Sequence, residues 1–309
     1  MTLRVSAWIA LVLVTSAVVG CHTANVAARA PASEPLIWDV RAKIFVSREV
    51  VVRAVLHARF RLLGEVHDNP AHHALRADLL RTIAAANKHP AVVFEQFDAG
   101  YEQALRRAQE KPIDAEALAD AGALDRSGWQ WPLHKGLIEA ALAGALPVHA
   151  GNADRAALEP VTRRGDLGSV PIEWRTVLDR APWDADKELT LTRVIEAAHC
   201  GKLPSRFVPQ LALAQRVRDA ALAAALLEYA TLDGAILIAG NGHARADTGV
   251  PLYLQSANVV TIGWVEVDAL DRRETTGRAA EVANPGFDFL WLTGGVDRAD
   301  PCEAFRAPT

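Results

Sequence analysis

Short apolar runs bounded by turn residues alternate with longer amphipathic stretches over most of the chain. The apolar runs predict buried strands at 60–63, 91–94, 146–148, 235–239, 259–267 and 287–292. Between them, helical spacing of apolar positions predicts helices at about 70–87, 101–110, 114–121, 132–143 and within 152–230, where 209–229 is the clearest. Because strands and helices alternate, we expect an α/β fold over 37–309: a mostly parallel sheet flanked by helices, in a single domain with helical insertions.

The amino-terminal residues have the pattern of an export signal. An apolar stretch from Val5 to Gly20 follows Arg4 and ends at Cys21. It is shorter than the roughly 20 residues that a membrane-spanning helix needs, which favours a cleaved signal peptide over 1–20. The residues before Cys21 resemble the lipobox of bacterial lipoproteins, in which the cysteine is acylated and becomes the first residue of the mature protein. An ordinary signal peptide that happens to contain a cysteine is the alternative.

A lipid on Cys21 would hold the protein at a bacterial membrane, since two or three acyl chains anchor a soluble domain firmly. Residues 21–36 are rich in Ala, Pro, Ser and Thr without periodicity and suit a tether. Histidine, and not aspartate, follows the cysteine at position 22. By the usual sorting preference, this favours the cell envelope at the outer membrane, facing the periplasm.

Charge and cysteine content exclude some classes of function. The chain has 33 basic and 37 acidic residues, so a basic surface that would neutralise nucleic-acid phosphates is not expected. Besides Cys21, the cysteines are Cys200 and Cys302, without a CxxC pattern that would indicate structural zinc. In an oxidising compartment these two could form a disulfide, and the sequence leaves that open.

Polar residues follow the predicted strands at the points where chemistry is expected. They are Gly64-Glu65-Val66-His67, Glu95, His149 to Asn152, and Gly240-Asn241-Gly242-His243. The carboxyl ends of parallel strands meet at one edge of a sheet, where ligand sites collect. Two of the segments share a GxxH pattern, in which glycine permits a tight turn that presents the histidine. We therefore expect His67, Glu95 and His243 to line one pocket.

Each of these residues also has a simpler interpretation. A lone histidine in a turn is more often a capping or surface residue than a ligand, and Glu95 could pair with an arginine. Asn69-Pro70 predicts a helix start, and His72 and His73 in its first turn are either directed at the sheet edge or a solvated pair. On the helix predicted at 209–229, Gln215 is followed by Arg216 and Asp219, which are spaced for a surface ion pair.

Six segments in order resemble the ChaN-like haem-binding lipoproteins over about residues 38–265. They are Leu63 to Asn69, Phe94 to Phe97, Trp129 to Trp131, His199 to Gly201, Ala214 to Asp219, and Gly240 to Arg245. The resemblance implies haem and iron uptake in the bacterial envelope, with haem at the interface of a homodimer and tyrosine as a candidate iron ligand. The chain is also similar to a wider superfamily with Tiki metalloproteases and erythromycin-esterase-like hydrolases.

The first hypothesis is therefore a haem-binding protein. An axial side chain would hold the iron, cationic side chains would meet the propionates, and Trp129 and Trp131 would cover the porphyrin face. The candidate haem-binding residues are His67, His73, Glu95, His134, Arg216, His243 and Tyr253.

The chain departs from the family where many members carry a tyrosine after a Trp-x-Trp segment. Here the sequence is Trp129-Gln130-Trp131-Pro132-Leu133-His134, so His134 is the leading replacement as axial ligand. The remaining phenolate candidates are Tyr101, Tyr229 and Tyr253. Alternatively, His134 only caps or lines the helix that begins near Pro132.

The second hypothesis is a metal-dependent hydrolase. Glu65, His67, Glu95 and His243 could hold a divalent ion that activates water, with one glutamate as base. A third is a lipoprotein that docks on an outer-membrane transporter. Histidines and carboxylates at a strand edge serve the first two functions equally, so the sequence does not separate them.

Overall fold

The computed structural model describes residues 36–256, 258–267, 286–300 and 302–303. Within these ranges the chain forms eight strands and eleven α-helices. The strands are β1 (Leu36–Asp39), β2 (Ile44–Val46), β3 (Phe60–Leu63), β4 (Ala91–Asp98), β5 (Val148–Asn152), β6 (Ala235–Ile238), β7 (Val259–Val267) and β8 (Phe289–Gly294). The helices are α1 (Arg48–His57), α2 (Pro70–Ala85), α3 (Glu102–Ala108), α4 (Ala115–Ala121), α5 (Lys135–Ala143), α6 (Arg155–Arg164), α7 (Ile172–Arg180), α8 (Ala185–Ala198), α9 (Val208–Tyr229), α10 (Asn241–Ala244) and α11 (Pro251–Leu254).

All eight strands form one sheet in the order β2-β1-β8-β7-β3-β6-β4-β5. From β8 to β5 every neighbouring pair is parallel, and β1 and β2 add an antiparallel edge. Leu63 pairs with both Ile238 and Ile262, and Ile238 also pairs with Phe94. The last residues of β3 and β6, Leu63 and Ile238, are therefore level with Phe94 inside β4. The mostly parallel α/β architecture expected from the sequence is confirmed.

The sheet is covered on both faces, which explains the continuously apolar β6. One face packs against α6, α7 and α9 and the other against α1, α2, α4 and α5. All four residues of β6 are fully buried. The start of α2 agrees with the sequence, because the Asn69 side chain accepts a hydrogen bond from the Ala71 N–H and Pro70 occupies the first helical turn.

Two strand predictions are corrected by the structure. β4 continues to Asp98, so Glu95 lies within a strand instead of after it. β5 covers 148–152 and not 146–148, so His149 to Asn152 form the strand and do not follow it. β5 lies at the edge of the sheet, where the Gln109 side chain hydrogen-bonds both backbone groups of Val148. Because a side chain supplies these hydrogen bonds at the sheet edge, no run of apolar residues in the sequence marks the bounds of β5.

The sequence pattern also misses β1, β2 and α1, and it places the start of β8 two residues early. β2 is short and largely exposed, with Ile44 open to solvent, so it lacks the apolar run that identifies a buried strand.

Cys200 and Cys302 form a disulfide with Cα atoms 5.6 Å apart. The predicted signal peptide, the lipobox at Cys21 and nearly all of the tether lie outside the described residues. In the described part of the chain, none of the helices combines the length and the apolar character that a membrane span requires.

Candidate functional site

The two GxxH turns interlock at the carboxyl ends of β3 and β6. A methyl group on Gly64 would lie 2.3 Å from Asn241 Oδ1 and 3.2 Å from the Ile262 carbonyl oxygen. A methyl group on Gly240 would lie 2.8 Å from the Cε1 and Nε2 atoms of His67. Neither glycine has a positive φ. The glycines are therefore needed for the close approach of the turns, and not for the tight turn that the sequence suggests.

Replacing Gly64 with alanine is expected to lower the free energy of unfolding by about 1–3 kcal/mol, because the methyl group overpacks the contact with Asn241. Gly242→Ala is the matched control, since nothing lies within 4 Å of a methyl group at that position. Urea unfolding of the two variants measures the difference. Equal stability of both would contradict the interlocking role.

His67 is the open histidine of this edge. Its side chain is 48% exposed, and its Nδ1 lies 2.8 Å from Glu65 Oε1. Its ring packs edge-on against Trp129 with the centroids 5.1 Å apart. No hydrogen-bonding group among the described residues contacts its Nε2. A buried carboxylate therefore orients the imidazole and leaves its second nitrogen available.

Glu65 lies beneath His67 at the centre of a buried cluster. The Arg76 guanidinium forms an ion pair with Glu65, and both side chains are fully buried. His73 Nδ1 and His134 Nε2 each lie 3.3 Å from a Glu65 carboxylate oxygen. His73 also bonds the His67 carbonyl oxygen through Nε2 at 2.8 Å. These contacts hold α2 and the segment before α5 against the turn that carries His67.

Burial keeps three histidines of this edge neutral, namely His72, His73 and His134. Burial lowers the pKa of His73 to about 4 and that of His134 to about 3, and it affects each pKa more than any neighbouring charge does. Burial likewise lowers the pKa of His72 to about 4. The His72 Nδ1 accepts the Val66 N–H, and its Nε2 hydrogen-bonds Thr293 on β8. His72 and His73 are therefore not a solvated pair.

A second buried cluster surrounds His243. Its Nε2 lies 3.2 Å from Glu95 Oε1 and its Nδ1 lies 2.6 Å from Asp219 Oδ1. Burial opposes its charge, but the two carboxylates raise the pKa of His243 to about 10. Burial raises the pKa of Glu95, but His243, His67 and the Gly240 N–H together lower it to about 2. At Asp219 burial dominates and raises the pKa to about 6. The Gly240 N–H also donates to Glu95 at 2.7 Å.

The expected gathering of His67, Glu95 and His243 at one edge agrees with this geometry. Glu95 bonds His243 directly, and Gly240 lies between Glu95 and the His67 ring. Only His67 is open, however, so the three do not line one accessible pocket. The other two form a buried ion pair that supports the turn.

Divalent metal binding fits these residues poorly. The expected ligands separate into two pairs, Glu65 with His67 and Glu95 with His243, and carboxylates contact both nitrogens of His243. A different set, Glu65, His73 and His134, has ligand atoms within 4.8 Å of one another. The buried Arg76 guanidinium already neutralises Glu65 and would repel a divalent cation.

Three other candidates are either buried or already in contact with another side chain. His134 is 1% exposed and bonds the Trp129 carbonyl oxygen. Tyr253 is buried, and this burial raises its pKa well above the ordinary value. Arg216 stacks over Trp183 at 4.2 Å instead of pairing with Asp219.

The remaining two tyrosines differ in accessibility. Tyr229 stacks on His149 with the ring centroids 4.2 Å apart, and burial raises its pKa to about 12. Tyr101 is 44% exposed and follows β4 by three residues. Tyr101 is therefore the phenol most open to a ligand.

Sequence reasoning missed Arg76, which is central to the site. The sequence does indicate that Arg76 is buried, because it follows His73 by three residues and precedes Leu79 and Leu80 on the apolar face of α2. A cation at such a position requires a buried partner.

The comparisons with known proteins agree with this architecture. A family model described as "Haem-binding uptake, Tiki superfamily, ChaN" matches residues 51–254. The structure is similar to ChaN of Campylobacter jejuni, whose structure is described as showing cofacial haem binding, with a TM-score of 0.67 and 18% identity over 85% of this chain and 98% of that chain.

Two further solved structures are more distant. They are the type III effector HopBA1 (TM-score 0.42, 12% identity, 80% of this chain and 92% of that chain) and the erythromycin esterase EreC (TM-score 0.40, 14% identity, 75% and 76%). A comparison with curated proteins found no significant match. The match of the family model over most of the domain shows that this chain belongs to the haem-binding uptake family of the Tiki superfamily, ChaN.

Proposed function

We propose that this protein binds haem at the open edge of the sheet and takes part in haem and iron uptake in a bacterial envelope. The observation that carries the proposal is His67, an exposed imidazole whose Nδ1 is held by a buried carboxylate. Family membership supports haem as the ligand.

The residues at this edge suit a haem. Haem iron accepts an axial imidazole nitrogen, and His67 has its Nε2 available for this role. The carboxylate of Glu65 fixes the orientation of the ring, as outer partners of metal-binding histidines do. Trp129 beside the ring supplies an aromatic surface for a porphyrin. We therefore assign the axial role to His67 in preference to the buried His134.

Haem titration followed by Soret absorbance tests this assignment. In His67→Ala, haem affinity is expected to fall by about tenfold or more, because outer partners of metal ligands alone carry effects of that size. His57→Ala is the matched control, since His57 is an exposed histidine on α1 whose side chain hydrogen-bonds the Arg53 carbonyl oxygen. Tyr101→Phe tests the accessible phenol.

The possible outcomes separate the function from the ligand assignment. Absence of a Soret band with the wild-type protein would contradict haem binding itself. Haem binding that is unchanged in His67→Ala but lost in Tyr101→Phe would transfer the axial role to Tyr101. Equal losses in His67→Ala and His57→Ala would argue against a specific role of His67.

Hydrolysis is a second candidate, favoured by the same pair of residues. An exposed imidazole oriented by a buried carboxylate is also the arrangement of a general base, and Glu65 would hold the tautomer that lets Nε2 accept a proton. The metal-dependent form has less support because Arg76 neutralises Glu65. Metal analysis of the titrated preparation distinguishes the two forms, since a base acting alone needs no metal.

We also propose that Cys21 carries the lipid anchor, as its lipobox-like context indicates. Cys21→Ser is expected to move the protein from the membrane fraction to the soluble fraction, because acyl chains supply the membrane affinity. Cell fractionation and intact mass of the wild-type protein measure this. A mutant that stays equally membrane-bound, with no acyl mass on the wild type, would refute the anchor.

A further inference from the structure

A cavity of about 480 Å³ lies at the carboxyl ends of β4 and β5, beside the His67 edge but outside its hydrogen-bonded clusters. Its polar lining comes from both strands and from α6 and α9. The side chains that matter are Asp98, Asn152, Arg155, Leu158, Arg163 and Arg218. A volume of this size is within the range of small-molecule sites.

Asn152 has an unused hydrogen-bond acceptor in this cavity. Its side chain is buried, with only 8% of the residue exposed, and its Nδ2 donates to Asp98 Oδ1 at 3.0 Å. That bond fixes the orientation of the amide, and the Oδ1 atom has no hydrogen-bond partner. Buried polar atoms nearly always have a hydrogen-bond partner, so Oδ1 suits a donor from a bound molecule or from a water at this cavity.

The cavity also contains cations without a paired carboxylate. Arg218 is half-buried on α9 and Arg155 begins α6, and neither forms a salt bridge with another described residue. Arg163, by contrast, forms an ion pair with Glu159 at 2.8 Å. Two guanidinium groups are therefore free to bind an anion, for which they offer several donors in a planar arrangement.

Asp98 adds a second acceptor. Burial and the neighbouring Asp154 raise its pKa by more than the Asn152 hydrogen bond and the Arg218 charge lower it, so a further hydrogen-bond donor would be favourable here. Hydroxyl groups would supply hydrogen bonds to both Asp98 and Asn152. A matching ligand thus needs an anionic group toward the arginines and hydroxyl donors toward these two residues.

We propose that this cavity binds a small hydroxylated acid, that is, a sugar phosphate or a sugar acid. Arg155 and Arg218 hold the anionic group, while Asn152 Oδ1 and Asp98 accept hydrogen bonds from hydroxyls. Leu158 packs against the carbon skeleton. This site goes beyond haem binding, since none of its lining residues belongs to the clusters around Glu65 and His243.

Isothermal titration of the full chain with four probes tests the proposal. Glucose 6-phosphate and glucuronate are expected to bind. Glucose lacks the anion and inorganic phosphate lacks the hydroxyls, so each is expected to bind about tenfold more weakly or worse. Tighter binding of glucose 6-phosphate indicates a phosphate ligand, and tighter binding of glucuronate indicates a carboxylate ligand. Inorganic phosphate binding as tightly as either sugar, or no binding of any probe, overturns the proposal.

Arg218→Met should weaken the preferred probe by about tenfold or more, whereas Arg163→Met should leave it nearly unchanged because Arg163 is already paired. Far-UV circular dichroism checks that both variants fold. If Arg218→Met does not fold, Arg155→Met takes its place, since Arg155 is exposed. Equal affinity of the Arg163 variant and the tested Arg218 or Arg155 variant overturns the proposal. Haem titration of these variants should match the wild type, which keeps this outcome separate from that of the haem site.

Discussion

Replacing Arg76 with methionine is expected to lower the free energy of unfolding by about 3–5 kcal/mol. Arg76 and Glu65 are both fully buried and form an ion pair. Methionine is also unbranched and fills the space of the arginine stem, but it leaves the Glu65 carboxylate without its cation. Removing one partner of a buried pair is costly because the remaining charge has lost its solvent and its counterion.

Arg81→Met is the matched control, because Arg81 is an exposed arginine on the same helix, α2. Its effect is expected to stay within about 0.5 kcal/mol. The double variant Glu65→Leu/Arg76→Met should recover part of the loss, since it removes both buried charges. Urea unfolding measures all three. If Arg76→Met and Arg81→Met are equally stable, the ion pair does not stabilise the site.

The second large effect is a steep loss of stability in mild acid. His72, His73 and His134 have pKa values lowered to about 4, 4 and 3 in the folded protein, against about 6.5 when unfolded. Between pH 6 and 4.5 the unfolded chain therefore binds between about two and three more protons at these histidines. Asp219, whose pKa is raised to about 6, binds one more proton in the folded state and offsets part of this.

The net difference of about two protons makes the free energy of unfolding fall by on the order of 2–3 kcal/mol for each pH unit of acidification in this window. Below pH 4.5 the loss continues, because the pKa of Glu95 is lowered to about 2 and its stabilising charge disappears as the pH falls toward that value. Urea unfolding at pH 4.5, 5.5 and 6.5 measures the slope. A flat profile over this range would contradict the neutral burial of the three histidines.

Alkaline conditions should act through a different residue. The pKa of His243 is raised to about 10, so the folded state holds a proton that the unfolded state loses above about 6.5. Stability contributed by this proton is present below pH 6.5 and declines by about 1.4 kcal/mol per unit as the pH rises to 10. His243→Gln should remove this alkaline decline. Because the His243 charge lowers the pKa of Glu95 and of Asp219, the variant should also lose less stability per pH unit in acid. The wild-type protein is therefore expected to be most stable near pH 6.5.

Much of the fold follows from local patterns. The predicted bounds of β3 and β7 agree with the structure because apolar residues predominate in buried central strands. At the sheet edges the patterns fail. β1 pairs Leu36 with Leu292 from the far end of the chain, and β5 takes hydrogen bonds from the Gln109 side chain. Such long-range and side-chain contacts leave no local signal.

The sequence by itself determined that His67, Glu95 and His243 meet at one edge, since Leu63, Phe94 and Ile238, which precede these segments, lie level across parallel strands. Which histidine is open and which is buried depends on how α2, α5 and α9 pack over that edge. This packing exposes His67, buries His134 and places Arg76 against Glu65. Only the tertiary structure decides these points, because burial and charge pairing arise between segments that are distant along the chain.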